Sequence, residues 1–182
     1  FSKMACSTGR GYNCSMNFTM ITPYHNHDNG YISLIIKDFV VLPDEITVSK
    51  KSLFKKGEFH VSLLALKNIL PLVNAVDANV SEDDLVQDFL DYQKDVELSE
   101  YNLTSQLRYV TRGERETVVV MVDVPNLGGL FDKLRAKYKV DMPTQPTHIT
   151  LYTLQPETGI GILSNVELER DSKPVEIPEL HL

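Results

Sequence analysis

Two short stretches 88 positions apart repeat one pattern, and that repeat constrains the fold more than any other feature of the chain. Residues 59–64 read FHVSLL and residues 147–152 read THITLY. Each aligns a histidine, an apolar residue, a hydroxyl and a second apolar residue: His60-Val61-Ser62-Leu63 and His148-Ile149-Thr150-Leu151. Successive side chains of a strand point to opposite faces, so each stretch turns its histidine and hydroxyl one way and its aliphatic pair the other. Requiring apolar flanks on a His-x-Ser/Thr match leaves about 0.1 such match expected by chance in a chain of this composition. Two of them read as a signal. The structural alternative for each is a half-buried strand histidine with its hydrogen bonds satisfied, and the pairing weighs against it.

The remaining pattern agrees with a chain of two similar halves. Residues 31–42, 46–49 and 57–66 are apolar and β-branched, as strands are, and Pro43 and Asp44 stop the first. Residues 81–96 open on Ser81 as a cap, carry acidic residues in the first turn, and space Leu85, Val86, Phe89, Leu90 and Val96 as a helical stripe. Residues 105–111 and 116–124 flank Arg112-Gly113-Glu114 as a hairpin, and residues 126–140 repeat apolar positions at helical spacing. Strands at 147–154 and 159–163 complete the chain. The order strands, helix, strands, helix, strands predicts an α+β fold of two lobes. Residues 1–29, rich in Ser, Asn, Gly and Thr without a sustained period, are expected to be irregular, with residues 30–182 as one domain.

A net charge of −7 and a pI near 5.2 argue against nonspecific coating of nucleic acid, which draws its affinity from cations that displace counterions. No apolar run approaches the roughly 20 residues that span a bilayer. Cys6 and Cys14, with seven residues between them, make no zinc site by themselves and are expected to be free thiols of a reducing, cytoplasmic compartment. Four Asn-x-Ser/Thr sequons occur, at Asn13, Asn17, Asn79 and Asn102, with no visible leader beside them to give them use.

The repeated pair suits phosphodiester chemistry. Hydrolysis needs a base for the attacking oxygen, an acid for the leaving oxygen, and donors for the non-bridging oxygens. Histidine serves either proton role near neutral pH, because its ordinary pKa of about 6.5 keeps both forms accessible. A hydroxyl two residues along the same face lies beside the imidazole and can donate to a phosphate oxygen. Two such pairs facing each other would bracket one phosphorus atom.

Two His-x-Ser/Thr strands, one in each half of a chain this size, resemble the two-histidine (2H) phosphoesterase superfamily over roughly residues 30–170. The resemblance implies a bilobal fold with pseudo-twofold symmetry, in which two antiparallel sheets face across a cleft. It implies His60 and His148 as catalytic acid and base, in an order left open. Ser62 and Thr150 would hold substrate; by strand alternation Tyr152 shares the face of His148 and Thr150, where it is expected to stack on a base or touch the phosphate, with plain packing as the alternative. The partner implied is an RNA end or a nucleotide carrying a cyclic or diester phosphate, with no metal and no cofactor. A non-catalytic module binding nucleotides or RNA ends in the same cleft is the alternative. The chain departs from many relatives five positions after each histidine: Ala65 and Thr153 stand where an arginine or aromatic residue is frequent.

Other clusters read as structural. His25, His27 and Asp28 sit in the irregular stretch beside Pro23 and Gly30 and are expected in a solvated loop rather than around a metal. Lys50, Lys51, Lys55 and Lys56 are expected to form a lysine-bearing turn or edge strand, with a phosphate-attracting rim as the alternative. The glycines at 128–129 and at 159 and 161 lack the spacing of a dinucleotide or phosphate loop.

Overall fold

The computed structural model describes residues 23–26, 28–37, 39–156, 158–180 and 182. The strands are β1 (Pro23–Asn26), β2 (Tyr31–Ile36), β3 (Glu45–Val48), β4 (Lys51–Lys55), β5 (Phe59–Ala65), β6 (Asn102–Arg112), β7 (Arg115–Asp123), β8 (His148–Thr153) and β9 (Ser172–Pro174). The helices are α1 (Leu66–Asn74), α2 (Glu82–Gln93), α3 (Leu127–Tyr138) and α4 (Asn165–Asp171). The fold is α+β, as the pattern predicts. Its strands make one antiparallel sheet ordered β1-β2-β5-β8-β7-β6-β9, with the β3–β4 hairpin attached to β8. Two separate sheets were expected; they are joined here because the two repeat-bearing strands, β5 and β8, lie side by side.

That junction is narrow. β5 and β8 share a single registered pair, Val61 opposite Ile149. Further along, β8 leaves β5 and pairs instead with β4, through Phe54–Thr153 and Lys55–Tyr152. Outward, β5 pairs with β2 and β8 pairs with β7, and each of these ladders carries one register shift. Ser33 faces Ser62 and Ile32 faces Leu64, which leaves Leu63 as the extra residue of β5. Val119 faces Thr150 and Val118 faces Tyr152, which leaves Leu151 as the extra residue of β8. Both motif strands are therefore bulged at the residue directly after the hydroxyl. A bulge adds a residue to one strand and re-aims the side chains beyond it.

One face of the sheet is the core. Ile32, Leu34, Val61, Leu64, Val118, Val120, Ile149 and Tyr152 pack in one apolar cluster with residues of α1, α2 and α3, among them Leu66, Leu85, Phe89, Leu130 and Phe131. α2 forms where the sequence predicts it: Ser81 accepts from the Asp84 amide, and Asp84 accepts from the Ser81 amide in return. α1 was not read from the sequence, whose strand over 57–66 ends on its first residue; Leu66, Ile69 and Val73 are buried at helical spacing despite Pro71 inside the helix. The opposite face is covered only in part, where Ile160, Ile162 and Leu168 pack on Val110 and Val119.

Two further expectations are corrected. Residues 23–26 are a strand, since they pair with β2 through the turn that ends at Gly30, whose φ of +66° suits a residue without a Cβ. Residues 159–163 are no strand. Ile160 and Ile162 are buried alternately, as the pattern requires, but the glycine carbonyls of 159 and 161 accept from Arg115 (3.5 Å) and Arg112 (3.0 Å) instead of from a neighbouring strand. No helix among the described residues is long and apolar enough to cross a membrane. Because the halves meet at Val61 and Ile149, both fully buried, Ile149→Ala is expected to destabilise the fold by about 2–5 kcal/mol. Urea denaturation measures it, and a loss under about 1 kcal/mol would show that the junction carries little of the packing.

Candidate functional site

The site is built on the partly open face of β5 and β8. Val61 and Ile149 are the one registered pair, and along each strand His60 and Ser62 flank Val61 while His148 and Thr150 flank Ile149. Residues opposite each other in an antiparallel pair project to the same side. The four repeat residues therefore share one face, while Val61 and Ile149 point into the core with no exposure. Pairings with β2 and β7 agree, since Ile35 faces His60, Ser33 faces Ser62, Met121 faces His148 and Val119 faces Thr150.

The two imidazoles differ in surroundings. His60 keeps 38% of its side chain exposed, and its Nδ1 lies 3.8 Å from the Glu58 carboxylate. His148 is buried, with Nδ1 3.5 Å from the Pro146 carbonyl and the main chain of Ile160 against its ring. Burial pushes the His148 imidazole down to about 4, since an imidazolium there would lose its hydration. The Pro146 and Ile160 carbonyls oppose that shift, and the nearby charge of His60 adds to it. At neutral pH the His148 imidazole is uncharged.

Supporting groups come from segments that the repeat does not include. Gln145, buried at the start of the second motif, donates through Nε2 to the Ser62 carbonyl at 3.2 Å. The 159–161 segment runs over the face as a strap: a Cβ on Gly159 would lie 3.8 Å from the Thr150 hydroxyl, and one on Gly161 would lie 3.2 Å from the Tyr31 hydroxyl.

Tyr152 takes a different place from the one expected. The bulge at Leu151 turns it to the Val118 side, where it is wholly buried and its hydroxyl donates to the Pro43 carbonyl at 2.9 Å. Burial pushes its phenol up to about 12. Its ring is a core element with no face for a substrate. Neither Ala65 nor Thr153 is open either, at 1% and 0% exposure. Arg108, opposite Val119 and so on the site face, is engaged by Ser172 Oγ at 2.7 Å and by Glu169 at 3.2 Å.

The remaining candidates are structural. Lys51 pairs with Glu116 and Lys55 with Asp44. Lys50 occupies, with Ser49, a tight turn of positive φ between β3 and β4. Lys56 is buried beside Leu151, to whose carbonyl its amide donates at 2.9 Å. His25 stands in β1 rather than a solvated loop, and its Nε2 meets Glu82 of α2 at 2.8 Å. His27, Cys6, Cys14, Asn13 and Asn17 lie outside the described residues. Among the described residues no three His, Cys, Asp or Glu side chains gather as a metal site. Comparison of the chain with family models, with curated proteins and with solved structures returns no match.

The burial of His148 ties stability to pH. An unfolded imidazole takes up a proton near 6.5, whereas the folded one resists until about 4. The unfolded chain therefore binds more protons in that window. The stabilising contribution is complete above about 6.5 and is lost as pH falls toward 4, by about 2–4 kcal/mol. Unfolding free energies at pH 7 and pH 4 should fall more steeply for the natural chain than for His148→Gln by that amount. Equal falls would mean that the ring is solvated.

Proposed function

We propose that the chain is a metal-independent phosphodiesterase that opens 2′,3′-cyclic phosphates, or related diesters, at RNA ends or on nucleotides. One observation carries the reading: the two His-x-Ser/Thr repeats meet through a single residue pair, so that both histidines and both hydroxyls share one sheet face. The matching bulges after Ser62 and Thr150 support an internal duplication, and with it the pseudo-twofold, two-lobed cleft of the 2H phosphoesterases.

In this mechanism a phosphate lies between the imidazoles, with Ser62 and Thr150 donating to its non-bridging oxygens. His148, neutral and buried, removes a proton from the attacking water. The negative charge of the bound phosphate favours the imidazolium and so strengthens this base. His60, open to solvent and beside Glu58, is the acid. The water oxygen bonds to phosphorus, the bond to one ribose oxygen breaks, and the proton of His60 passes to that oxygen. A phosphomonoester and a free hydroxyl result.

A second reading is a binding module with the same cleft and no turnover. The burial of His148 beneath Ile160 favours it, because a proton acceptor must reach its substrate.

Hydrolysis of 2′,3′-cyclic nucleotides separates the two. His60→Ala and His148→Ala should each lower kcat by about 10²- to 10⁴-fold with little change in nucleotide affinity. Ser62→Ala and Thr150→Val should cost less and weaken binding in part. A change under threefold at either histidine would leave the binding module. The profile of kcat/KM against pH should be bell-shaped, with its acid limb near the His148 value of about 4. Activity should survive EDTA. Loss on chelation, restored by a divalent ion, would overturn the two-histidine mechanism.

A further inference from the structure

The face that carries the site does not end at β5. Ser33 lies opposite Ser62 and Ile35 opposite His60, so Tyr31, two residues before Ser33 in an unbulged stretch of β2, points to the same side. The strap gives that placement independently, because Gly161 meets the Tyr31 hydroxyl while Gly159 meets Thr150. One strand further out, Tyr24 of β1 lies opposite Ser33 and so shares the face. Tyr24 is 55% exposed. The core needs neither ring, since the alternate residues Ile32, Leu34 and Ile36 supply it from the other side of β2. The Lys67 ammonium sits 4.5 Å from the centre of the Tyr31 ring, a cation at the same margin of the site.

Resting on the phosphodiesterase reading, we propose that Tyr31 and Tyr24 are a stacking platform for two successive bases, so that the substrate is the end of a single-stranded RNA rather than a mononucleotide. Aromatic rings beside a cation accept single-stranded nucleic acid without base preference, because every base offers a π-face. Tyr31 stands one strand from Ser62 and Tyr24 stands two, about 10 Å across the sheet. The base next to the held phosphate covers Tyr31, and only a second nucleotide extends to Tyr24. Lys67 then lies where the linking phosphate passes.

Calorimetric titration of the whole chain with inorganic phosphate, a nucleoside 3′-monophosphate and a dinucleotide bearing a 3′-terminal phosphate tests this. The natural chain should prefer the dinucleotide to the mononucleotide. Tyr24→Leu should reduce that preference by about 5- to 100-fold, the range of one base–aromatic stack. Tyr24→Phe, which keeps the ring, should retain it. A natural chain without the preference, an unchanged preference in the leucine variant, or its loss in the phenylalanine variant would overturn the platform while leaving the phosphate site standing. Binding of none of the three ligands would instead overturn the phosphodiesterase reading, and the platform with it.

Discussion

The contact of Val61 with Ile149 is the constraint on which the site depends. Two strands from distant parts of the chain touch there through one registered pair and then part. A longer ladder would bring the backbones together along their length and flatten the surface. A single pair holds the strands at a pivot and lets side chains from both reach into the space on either side of it. The pivot residues are wholly buried, so the face opposite the core inherits its geometry from hydrophobic packing rather than from polar contacts made within the site. Beside the pivot, Gln145 donates to the Ser62 carbonyl and the Lys56 amide donates to that of Leu151.

The same packing sets the electrostatics. A histidine pressed between a sheet and the Gly159–Gly161 strap loses solvent on most sides, and two nearby carbonyls do not restore what burial removes. Its partner across the pivot stays half open beside a carboxylate. Identical residue types thus meet unlike surroundings, one ring buried and the other half open.

Much of this was legible in the sequence because period-two alternation is a local property. It identified His60, Ser62, His148 and Thr150 as facing one way and Val61 and Ile149 as core, and the capped acidic start of α2 was equally local. It failed at Tyr152, since the bulge at Leu151 arises from the pairing of β8 with β7 and leaves no mark in the spacing. It also failed at β1, whose residues Pro23–Asn26 become a strand only through β2. At residues 159–163 the alternation gave the right burial and the wrong pairing, because arginine side chains satisfy the carbonyls that a neighbouring strand would have used. Gln145 and the strap were hidden for a similar reason: their partners lie far away in sequence.

The central claim is that His60 and His148 hold one phosphate between them. Imidazole proton resonances, followed by NMR during titration with inorganic phosphate, test it directly. The account predicts that the His60 and His148 signals shift together with one dissociation constant, while that of His25, bonded to Glu82 behind β2, stays in place. Movement of one ring without the other, or of neither, would contradict it.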